Sequence, residues 1–367
     1  MNPEAGLDTP CLAIRLPDNN TLVVGSTVPL ARRWVVIYPV RVSGGTKEQA
    51  NYQERVIMRI LVTGAAGYIG SVLVPALLKY GYKVIAVDNF MYNQSSLLDC
   101  CNDEKLTIIR GDARDKGLIL ECLKKVDVIF PLACLTGAPL CAKDPTGART
   151  IILDAIKMIV ELRSRDQLVI FPTTNSGYGI GQEGVYCTEE TPLNPISLYG
   201  VLKTEAEKVL LDAGNCITLR LATAFGISPR MRLDLLVNDF TYRAVTDRFL
   251  VLFEAHFKRN YIHVRDVAKA FIHSLTNFGV MKNKPYNVGL SNANISKWEL
   301  CLEIKEQVPG FYFTEAEVGE DLDKRNYIVS NARIEATGFQ PDISLQKGIS
   351  ELIKGYQVIR RNQYANV

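Results

Sequence analysis

Tyr199 and Lys203 are the pair whose types and spacing point most directly to proton transfer. They open a segment with helical periodicity, for which Ser197 is a suitable N-cap and Gly214 a stop. Because positions i and i+4 share one helix face, the phenol and the ammonium group point the same way. A free tyrosine has a pKa of about 10, and a nearby lysine favours the phenolate and lowers that value. Because a chain with 16 tyrosines and many lysines is expected to contain this spacing by chance, the pair predicts a general acid/base only in combination with the motifs around it.

A glycine-rich run gives the second chemical signal. Residues 60–70 read ILVTGAAGYIG, a short apolar strand followed by glycines with the spacing GxxGxxG. Gly64 suits a tight turn, Gly67 lets the backbone approach a pyrophosphate, and Gly70 lets a helix pack closely on the strand. The N–H groups at the start of that helix also favour phosphate. The run predicts a dinucleotide site.

Asp88 narrows the choice of dinucleotide. It ends the next apolar strand, where a carboxylate can accept hydrogen bonds from both adenosine ribose hydroxyls. The same charge repels a 2′-phosphate, so NAD is favoured over NADP. Alternatively, Asp88 only caps a turn with Asn89. The predicted cofactor residues are Gly64, Gly67, Tyr68, Ile69, Gly70, Asp88, Asn89, Asp112, Ala113, Leu132, Ala133, Cys134, Tyr199 and Lys203.

The elements that position these residues alternate between strands and helices from Met58 onward. Predicted strands are Arg59–Thr63, Lys83–Asp88, Leu106–Arg110, Val126–Leu132, Gln167–Thr173 and Cys216–Leu221. Predicted helices include Gly117–Lys125, Thr150–Arg163, Val264–Asn277, Lys297–Gln307 and Leu345–Arg360. This alternation predicts an α/β protein with a doubly wound parallel sheet covered on both faces.

The first 57 residues differ from the rest of the chain. They hold two strand-like runs, Thr21–Val24 and Trp34–Val40, and too little apolar material for a core of their own. We expect a non-catalytic extension, with a β-rich appendage as the alternative. The predicted division is 1–57 for this extension, 58–225 with a return segment at about 262–290 for the cofactor domain, and 226–261 with 291–367 for the substrate domain.

Composition excludes several classes of function. The chain is 47% hydrophobic and 22% charged with a net charge of +3, which gives no reason to expect nucleic acid or an acidic membrane as a partner. No apolar run reaches the roughly 18 residues of a membrane span. The nine cysteines include no CxxC pair, which indicates reduced thiols and a cytoplasmic location. The three histidines lack metal-ligand spacing, so no metal is assigned.

The order of the motifs carries a family resemblance. Residues 171–179 read FPTTNSGYG upstream of the Tyr199 helix, and residues 259–266 read RNYIHVRD. With the glycine run and Asp88, these segments appear in the order found in extended short-chain dehydrogenases/reductases. From Met58 to about Tyr356 the chain resembles the NAD-dependent nucleotide-sugar epimerase/dehydratase family, and UDP-glucose/galactose 4-epimerases within it. The resemblance implies a Rossmann sheet, a smaller C-terminal α/β substrate-binding domain, NAD, a nucleotide-sugar substrate and a homodimer.

The resemblance also implies roles for individual residues. Thr174, rather than its neighbour Thr173, matches the Ser/Thr that binds the reacting sugar hydroxyl. Tyr199 matches the acid/base, and Lys203 matches the residue that holds the nicotinamide ribose. The implied substrate-binding residues are Thr136, Thr223, Arg230, Arg232, Asn238 and Arg259. For Arg259, an ion pair with Asp266 is the alternative; Asp323 and Arg325 are further candidates that also fit a solvated charged loop.

One departure from the family pattern bears on the reaction. The family's 4,6-dehydratases follow the Thr with Asp-Glu, whereas Asn175 and Ser176 stand at these positions here. Neither is a useful proton carrier, which argues against a dehydratase. We therefore expect an epimerase that acts at C4 through a transient 4-keto sugar. A 4-keto-sugar reductase or sugar dehydrogenase is one alternative, and a non-catalytic dinucleotide-binding scaffold or sensor is another.

Overall fold

The computed structural model describes residues 58–319 and 324–359, together with two strands nearer the N-terminus. The strands are β1 (Cys11–Arg15), β2 (Leu22–Ser26), β3 (Arg59–Thr63), β4 (Lys83–Asp88), β5 (Leu106–Arg110), β6 (Val128–Pro131), β7 (Leu168–Thr174), β8 (Tyr186–Cys187), β9 (Cys216–Leu221), β10 (Thr223–Phe225), β11 (Phe249–Leu252), β12 (Lys258–His263), β13 (Lys284–Val288), β14 (Asn294–Ser296), β15 (Tyr312–Glu315) and β16 (Ile328–Val329).

The helices alternate with these strands. They are α1 (Gly70–Lys79), α2 (Lys116–Leu123), α3 (Ala138–Lys143), α4 (Pro145–Arg149), α5 (Ala155–Leu162), α6 (Leu198–Ala213), α7 (Leu236–Thr246), α8 (Val264–Thr276), α9 (Phe278–Met281), α10 (Lys297–Gln307), α11 (Ala332–Glu335) and α12 (Leu345–Gly355). Short 3₁₀ turns cover Leu98–Cys100 and Asn175–Tyr178, and a π turn covers Thr150–Asp154.

A seven-stranded sheet forms the centre of the larger lobe. Its strand order is β13-β9-β7-β6-β3-β4-β5, and every neighbouring pair is parallel. Apolar clusters cover both faces: α1 and α8 contribute to one, and α2, α5 and α6 to the other. This is the doubly wound Rossmann order with an additional strand at one edge. The predicted fold class is confirmed.

The element bounds differ from the sequence predictions at a few places. The predicted helix Thr150–Arg163 is a helical stretch that starts earlier, at Pro145, where Asp144 caps the first turn. It includes the π turn before α5. The seventh strand, β13, has a proline and polar residues and so carries no strand signal in sequence; it pairs with β9. The predicted strand Trp34–Val40 lies outside the described residues, and β2 overlaps the predicted strand Thr21–Val24 and pairs with β1.

The smaller lobe is built from residues after Ala222, apart from elements such as α8, α9 and β13, which belong to the larger lobe. Strands β10, β12 and β14 form one small sheet, and β11 pairs with β15. A separate apolar cluster that includes α7, α10 and α12 forms the core of this lobe. None of the described helices is long and apolar enough to cross a membrane. The lobe lies beside the carboxyl ends of the large sheet, where open α/β sheets bind their ligands.

Candidate active site

A cavity of about 380 Å³ opens at the carboxyl ends of the central strands, between the two lobes. The glycine turn forms one wall. Gly64 has φ +67°, and a Cβ there would lie 2.7 Å from the backbone nitrogen of Ala133. A Cβ at Gly70 would lie 2.5 Å from the carbonyl oxygens of Gly64 and Ala65. The turn thus requires glycine at both positions, and it leaves the start of α1 open to the cavity, as a pyrophosphate requires.

Asp88 lines the cavity at the end of β4. Its Oδ2 accepts a hydrogen bond from the backbone nitrogen of Ala66 at 2.9 Å, and its Oδ1 accepts one from that of Phe90 at 2.8 Å. It therefore organises two backbone segments and also faces the cavity. Asp112 lines the wall after β5, where a hydrogen bond from Arg114 lowers the pKa of its carboxyl. These features fit the predicted adenosine half of NAD.

Thr174, Tyr199 and Lys203 converge at the other end of the cavity. Thr174 ends β7, and its Oγ1 donates to the hydroxyl of Ser176 at 2.9 Å. Tyr199 and Lys203 lie in the first two turns of α6, which Ser197 caps through the backbone nitrogen of Gly200. The sequence prediction of this helix and its cap is confirmed.

Lys203 is held by the sheet rather than by Tyr199. Its Nζ donates to the carbonyl oxygen of Pro172 at 2.9 Å and stands 4.5 Å from the centre of the Phe171 ring. Both neighbours belong to β7, so Lys203 fixes α6 against the strand that carries Thr174. Burial raises the pKa of the neighbouring Cys134 thiol, and the ammonium group of Lys203 offsets part of that rise.

The lowering of the Tyr199 pKa, expected from Lys203 together with the charge of a bound nicotinamide, is not reached in the chain without a cofactor. Burial raises the pKa of Tyr199, and this is the largest effect, followed by a contribution from Cys134 in the same direction. Arg232 and Arg325 oppose the rise. The reason is that the free energy needed to remove a phenolate from water exceeds the stabilisation that these guanidinium groups provide. Neutral Tyr199 is therefore the form in the unliganded chain.

The substrate-binding candidates divide into two groups. Thr136, Thr223, Arg230 and Arg232 line the cavity. Asn238 and Arg259 do not belong to the part of the cavity wall that the structure describes. Asn238 is buried in α7, where its side chain donates to the carbonyl oxygen of Arg232 at 2.8 Å and accepts from the backbone nitrogen of Gly226 at 2.9 Å.

Arg259 lies behind the cavity wall. It is 4% exposed, its guanidinium donates to the carbonyl oxygen of Lys258, and it stands 5.7 Å from the ring centre of Tyr327, which lines the cavity. Asp266, its alternative partner, instead accepts from the backbone nitrogens of Asp342 and Ile343. Arg325 lines the cavity, whereas Asp323 lies outside the described residues.

Two residues of the reacting end, Ser176 and Arg325, are only weakly indicated by the sequence. Ser176 lines the cavity and accepts hydrogen bonds from both Thr174 and Arg325. A hydroxyl two residues after a predicted catalytic threonine, on the same turn, was an available signal. Arg325 follows β15 in the chain, so its approach to Ser176 depends on how the two lobes pack. Tyr92 also lines the cavity, and no motif marks it.

Comparison with known proteins agrees with this arrangement. The sequence profile of the NAD dependent epimerase/dehydratase family matches residues 60–289. The chain belongs to this family. It is an NAD-dependent enzyme, so the family, enzyme class and cofactor predicted from the motifs are confirmed.

Relatives of this family member extend over most of its length. A UDP-glucose 4-epimerase of Mycolicibacterium smegmatis is 28% identical over 314 residues, which is 82% of this chain and 99% of the relative. UDP-glucuronic acid decarboxylase 1 of Arabidopsis thaliana is 25% identical over 314 residues, which is 82% of this chain and 70% of the relative.

A solved structure supports the fold. The UDP-glucose 4-epimerase of Thermus thermophilus, in complex with NAD, superposes with a TM-score of 0.71 at 23% identity. The match covers 83% of this family member and 100% of the solved chain.

Proposed function

We propose that this chain is an epimerase of a nucleotide-diphosphate sugar and acts at C4 through a transient 4-keto sugar. The observation that carries the proposal is the convergence of Thr174, Tyr199 and Lys203 at one end of a cavity whose other end is the glycine turn and Asp88. Its relatives include UDP-glucose 4-epimerases, which supports a nucleotide sugar as the substrate.

Each polar group at the reacting end has a distinct task. Thr174 orients the sugar 4-hydroxyl, and Tyr199 takes its proton and later returns it. NAD, when bound, supplies the acceptor and then the donor of hydride. Because burial raises the pKa of Tyr199, that pKa must fall on binding before the phenol can act as a base. Arg232 and Arg325 are the groups of this chain that act in that direction.

The distribution of carboxylates favours epimerisation over elimination of water. Among the described residues that line the cavity, the carboxylates are Asp88, Asp112 and Asp144. Asp88 ends β4, which lies three strands from β7 in the sheet, about 14 Å at ordinary strand spacing. Beside Thr174, the cavity wall offers the hydroxyl of Ser176 instead. A dehydratase needs an acid at that end to protonate the leaving hydroxyl.

Turnover without net redox change is the decisive measurement. The purified chain, loaded with NAD, is incubated with UDP-glucose, UDP-galactose and their GDP, CDP and dTDP counterparts. We expect interconversion of C4 epimers by chromatography with no net absorbance change at 340 nm. Stoichiometric formation or consumption of NADH would overturn the proposal in favour of a dehydrogenase or keto-reductase.

Tyr199→Phe tests whether the site is catalytic. Loss of the acid/base lowers kcat by about 10²- to 10⁴-fold while NAD stays bound. Tyr186→Phe is the matched control, because Tyr186 is 52% exposed on β8 and does not belong to the described cavity wall. Unchanged turnover in Tyr199→Phe would contradict the proposed mechanism and favour a non-catalytic scaffold.

Assembly and location also remain proposals. We propose a cytoplasmic homodimer, for which the family resemblance supplies the expectation of two subunits. The eight cysteines of the described part of the chain are free thiols, which agrees with a reducing compartment. Sedimentation analysis of the purified full chain tests the subunit number.

A further inference from the structure

The segment that follows β10 touches two separate walls of the cavity. We call residues 226–232 the crossing loop. Its first half is fixed to the start of α1: the hydroxyl of Tyr68 donates to the carbonyl oxygen of Gly226 at 2.7 Å, and that of Ser228 donates to the carbonyl oxygen of Tyr68 at 2.8 Å. The hydroxyls of Ser228 and Ser71 are 2.9 Å apart. The smaller lobe is thereby bonded to the glycine turn.

The second half of the crossing loop reaches the wall after β4. The guanidinium of Arg230 lies 4.4 Å from the ring centre of Tyr92, within the range of a cation–π contact. Arg230 is 5% exposed, so this contact is largely shielded from water. Burial lowers the pKa of Arg230, although an arginine side chain keeps its charge at neutral pH.

Tyr92 belongs to the segment that Asp88 organises. The Oδ1 of Asp88 accepts from the side-chain nitrogen of Gln94 at 3.2 Å, and the Gln94 oxygen accepts from the backbone nitrogen of Tyr92 at 3.1 Å. All three residues line the cavity, as does Arg230. The crossing loop therefore joins the glycine turn to the Asp88 segment, the two parts of the wall that fit the pyrophosphate and the adenosine ribose.

We infer that the Arg230–Tyr92 contact is a clamp that sets how fast NAD leaves this enzyme. In this role Arg230 retains the cofactor, whereas the family resemblance implies that Arg230 binds the substrate. A ligand seated between the glycine turn and the Asp88 segment is released only when the crossing loop leaves one of them. The inference depends on the NAD site alone and holds for any reaction at the other end of the cavity.

Retention has a consequence for the chemistry proposed above. An epimerase uses the same cofactor molecule for both hydride transfers. If the cofactor left after the first transfer, the keto sugar would have no hydride donor. A dehydrogenase must instead exchange its cofactor in every cycle. A clamp on the cofactor half of the cavity is therefore of direct use to an epimerase.

The test measures NAD exchange with no sugar present. The full chain is loaded with radiolabelled NAD, and loss of label is followed in excess unlabelled NAD. We expect Tyr92→Leu and Arg230→Gln each to speed the loss roughly tenfold. Tyr92→Phe keeps the ring face and should exchange like the parent chain. The double variant should be no faster than either single variant, because both remove the same contact.

A neighbouring contact provides the matched control. Arg110 stands 4.8 Å from the ring centre of Phe90, and neither residue belongs to the described cavity wall. Arg110→Gln should leave NAD exchange unchanged. Unaltered exchange in both Tyr92→Leu and Arg230→Gln would overturn the clamp, and so would additive effects in the double variant.

Two further readouts separate the clamp from other roles. If Arg230→Gln raises the KM for a nucleotide sugar and leaves NAD exchange unchanged, Arg230 is a substrate ligand and the inference fails. Thermal unfolding at saturating NAD checks that each variant folds. If Tyr92→Leu does not fold, the test compares NAD exchange in Arg230→Gln with that in Arg230→Lys, which keeps the positive charge. Since no sugar is used, a failed epimerase proposal leaves the NAD exchange result standing.

Discussion

The two ends of the cavity are built in different ways. At the cofactor end, short continuous segments of the chain form much of the wall. Examples are the glycine run and the end of β4 with Asp88. At the reacting end, Thr174 and Tyr199 are joined by Arg232 and Arg325, which come from the smaller lobe. The glycine turn and Asp88 are local in sequence and only the crossing loop reaches them from afar, whereas the reacting groups themselves come from distant parts of the chain.

This difference affects how each end responds to change. The cofactor end depends on backbone conformations that tolerate no added atom, as the close approach of Gly64 to Ala133 demonstrates. The reacting end depends on side-chain contacts, such as those that the hydroxyl of Ser176 makes with Thr174 and Arg325. Substitutions in the glycine turn should therefore disrupt the backbone and NAD binding, whereas substitutions of the arginines around Tyr199 should change substrate binding and leave the backbone intact.

The largest effect is expected at Gly64. In Gly64→Ala, the new Cβ meets backbone atoms at 2.7 Å and the residue keeps a φ of +67°, so we expect a loss of about 3–5 kcal/mol of stability and of bound NAD. Gly81→Ala is the control, because Gly81 has φ +89° and no heavy atom within 4 Å of a new Cβ. It should lose only about 1–2 kcal/mol and keep NAD. Equal losses in denaturant unfolding would contradict the argument from close packing.

An intermediate effect is expected from protonation of His263. This residue caps α8, with its Nδ1 accepting from the backbone nitrogen of Arg265, and burial lowers its pKa from 6.5 to about 4. The unfolded chain takes up the proton first, so stability is complete above pH 6.5 and falls as the pH drops toward 4. The loss amounts to about 3 kcal/mol at most.

The pH effect can be assigned to one residue by comparison. Unfolding free energies are measured between pH 7 and pH 5 for the parent chain and for His263→Gln. The variant should show a shallower decrease, whatever its stability at pH 7. Parallel curves would show that His263 is not the source. The half-buried His273, whose pKa burial also lowers to about 4, would then become the candidate.

The smallest of these three effects is expected at Arg325, which lies at the reacting end. Arg325→Gln removes a charge beside Ser176 and Tyr199, and we expect the KM for the nucleotide sugar to rise about tenfold, or about 1.4 kcal/mol, with NAD content unchanged. Arg243→Gln is the control, because Arg243 pairs with Asp239 on α7 outside the described wall. Loss of NAD from Arg325→Gln would contradict the division between the two ends.

Much of the larger lobe could be predicted from the sequence. The strands β3, β4, β5 and β9 have the predicted bounds, because apolar runs flanked by turn residues leave few alternatives. The strand β13 could not be predicted, since it contains Pro285 and Asn287 and becomes a strand only by pairing with β9. The raised pKa of Tyr199 in the chain without a cofactor could not be predicted, because spacing gives the neighbours of a group but not its burial.

The sequence by itself determined the fold, the family, the cofactor and the helix that carries Tyr199 and Lys203. These properties depend on local patterns: periodicity, glycine spacing and a carboxylate at a strand end. The tertiary structure decided which distant residues share the cavity. It brought Arg325 to Ser176 and Arg230 to Tyr92, and it placed Arg259 behind the wall. Such contacts depend on how the two lobes pack, and no spacing along one chain encodes that packing.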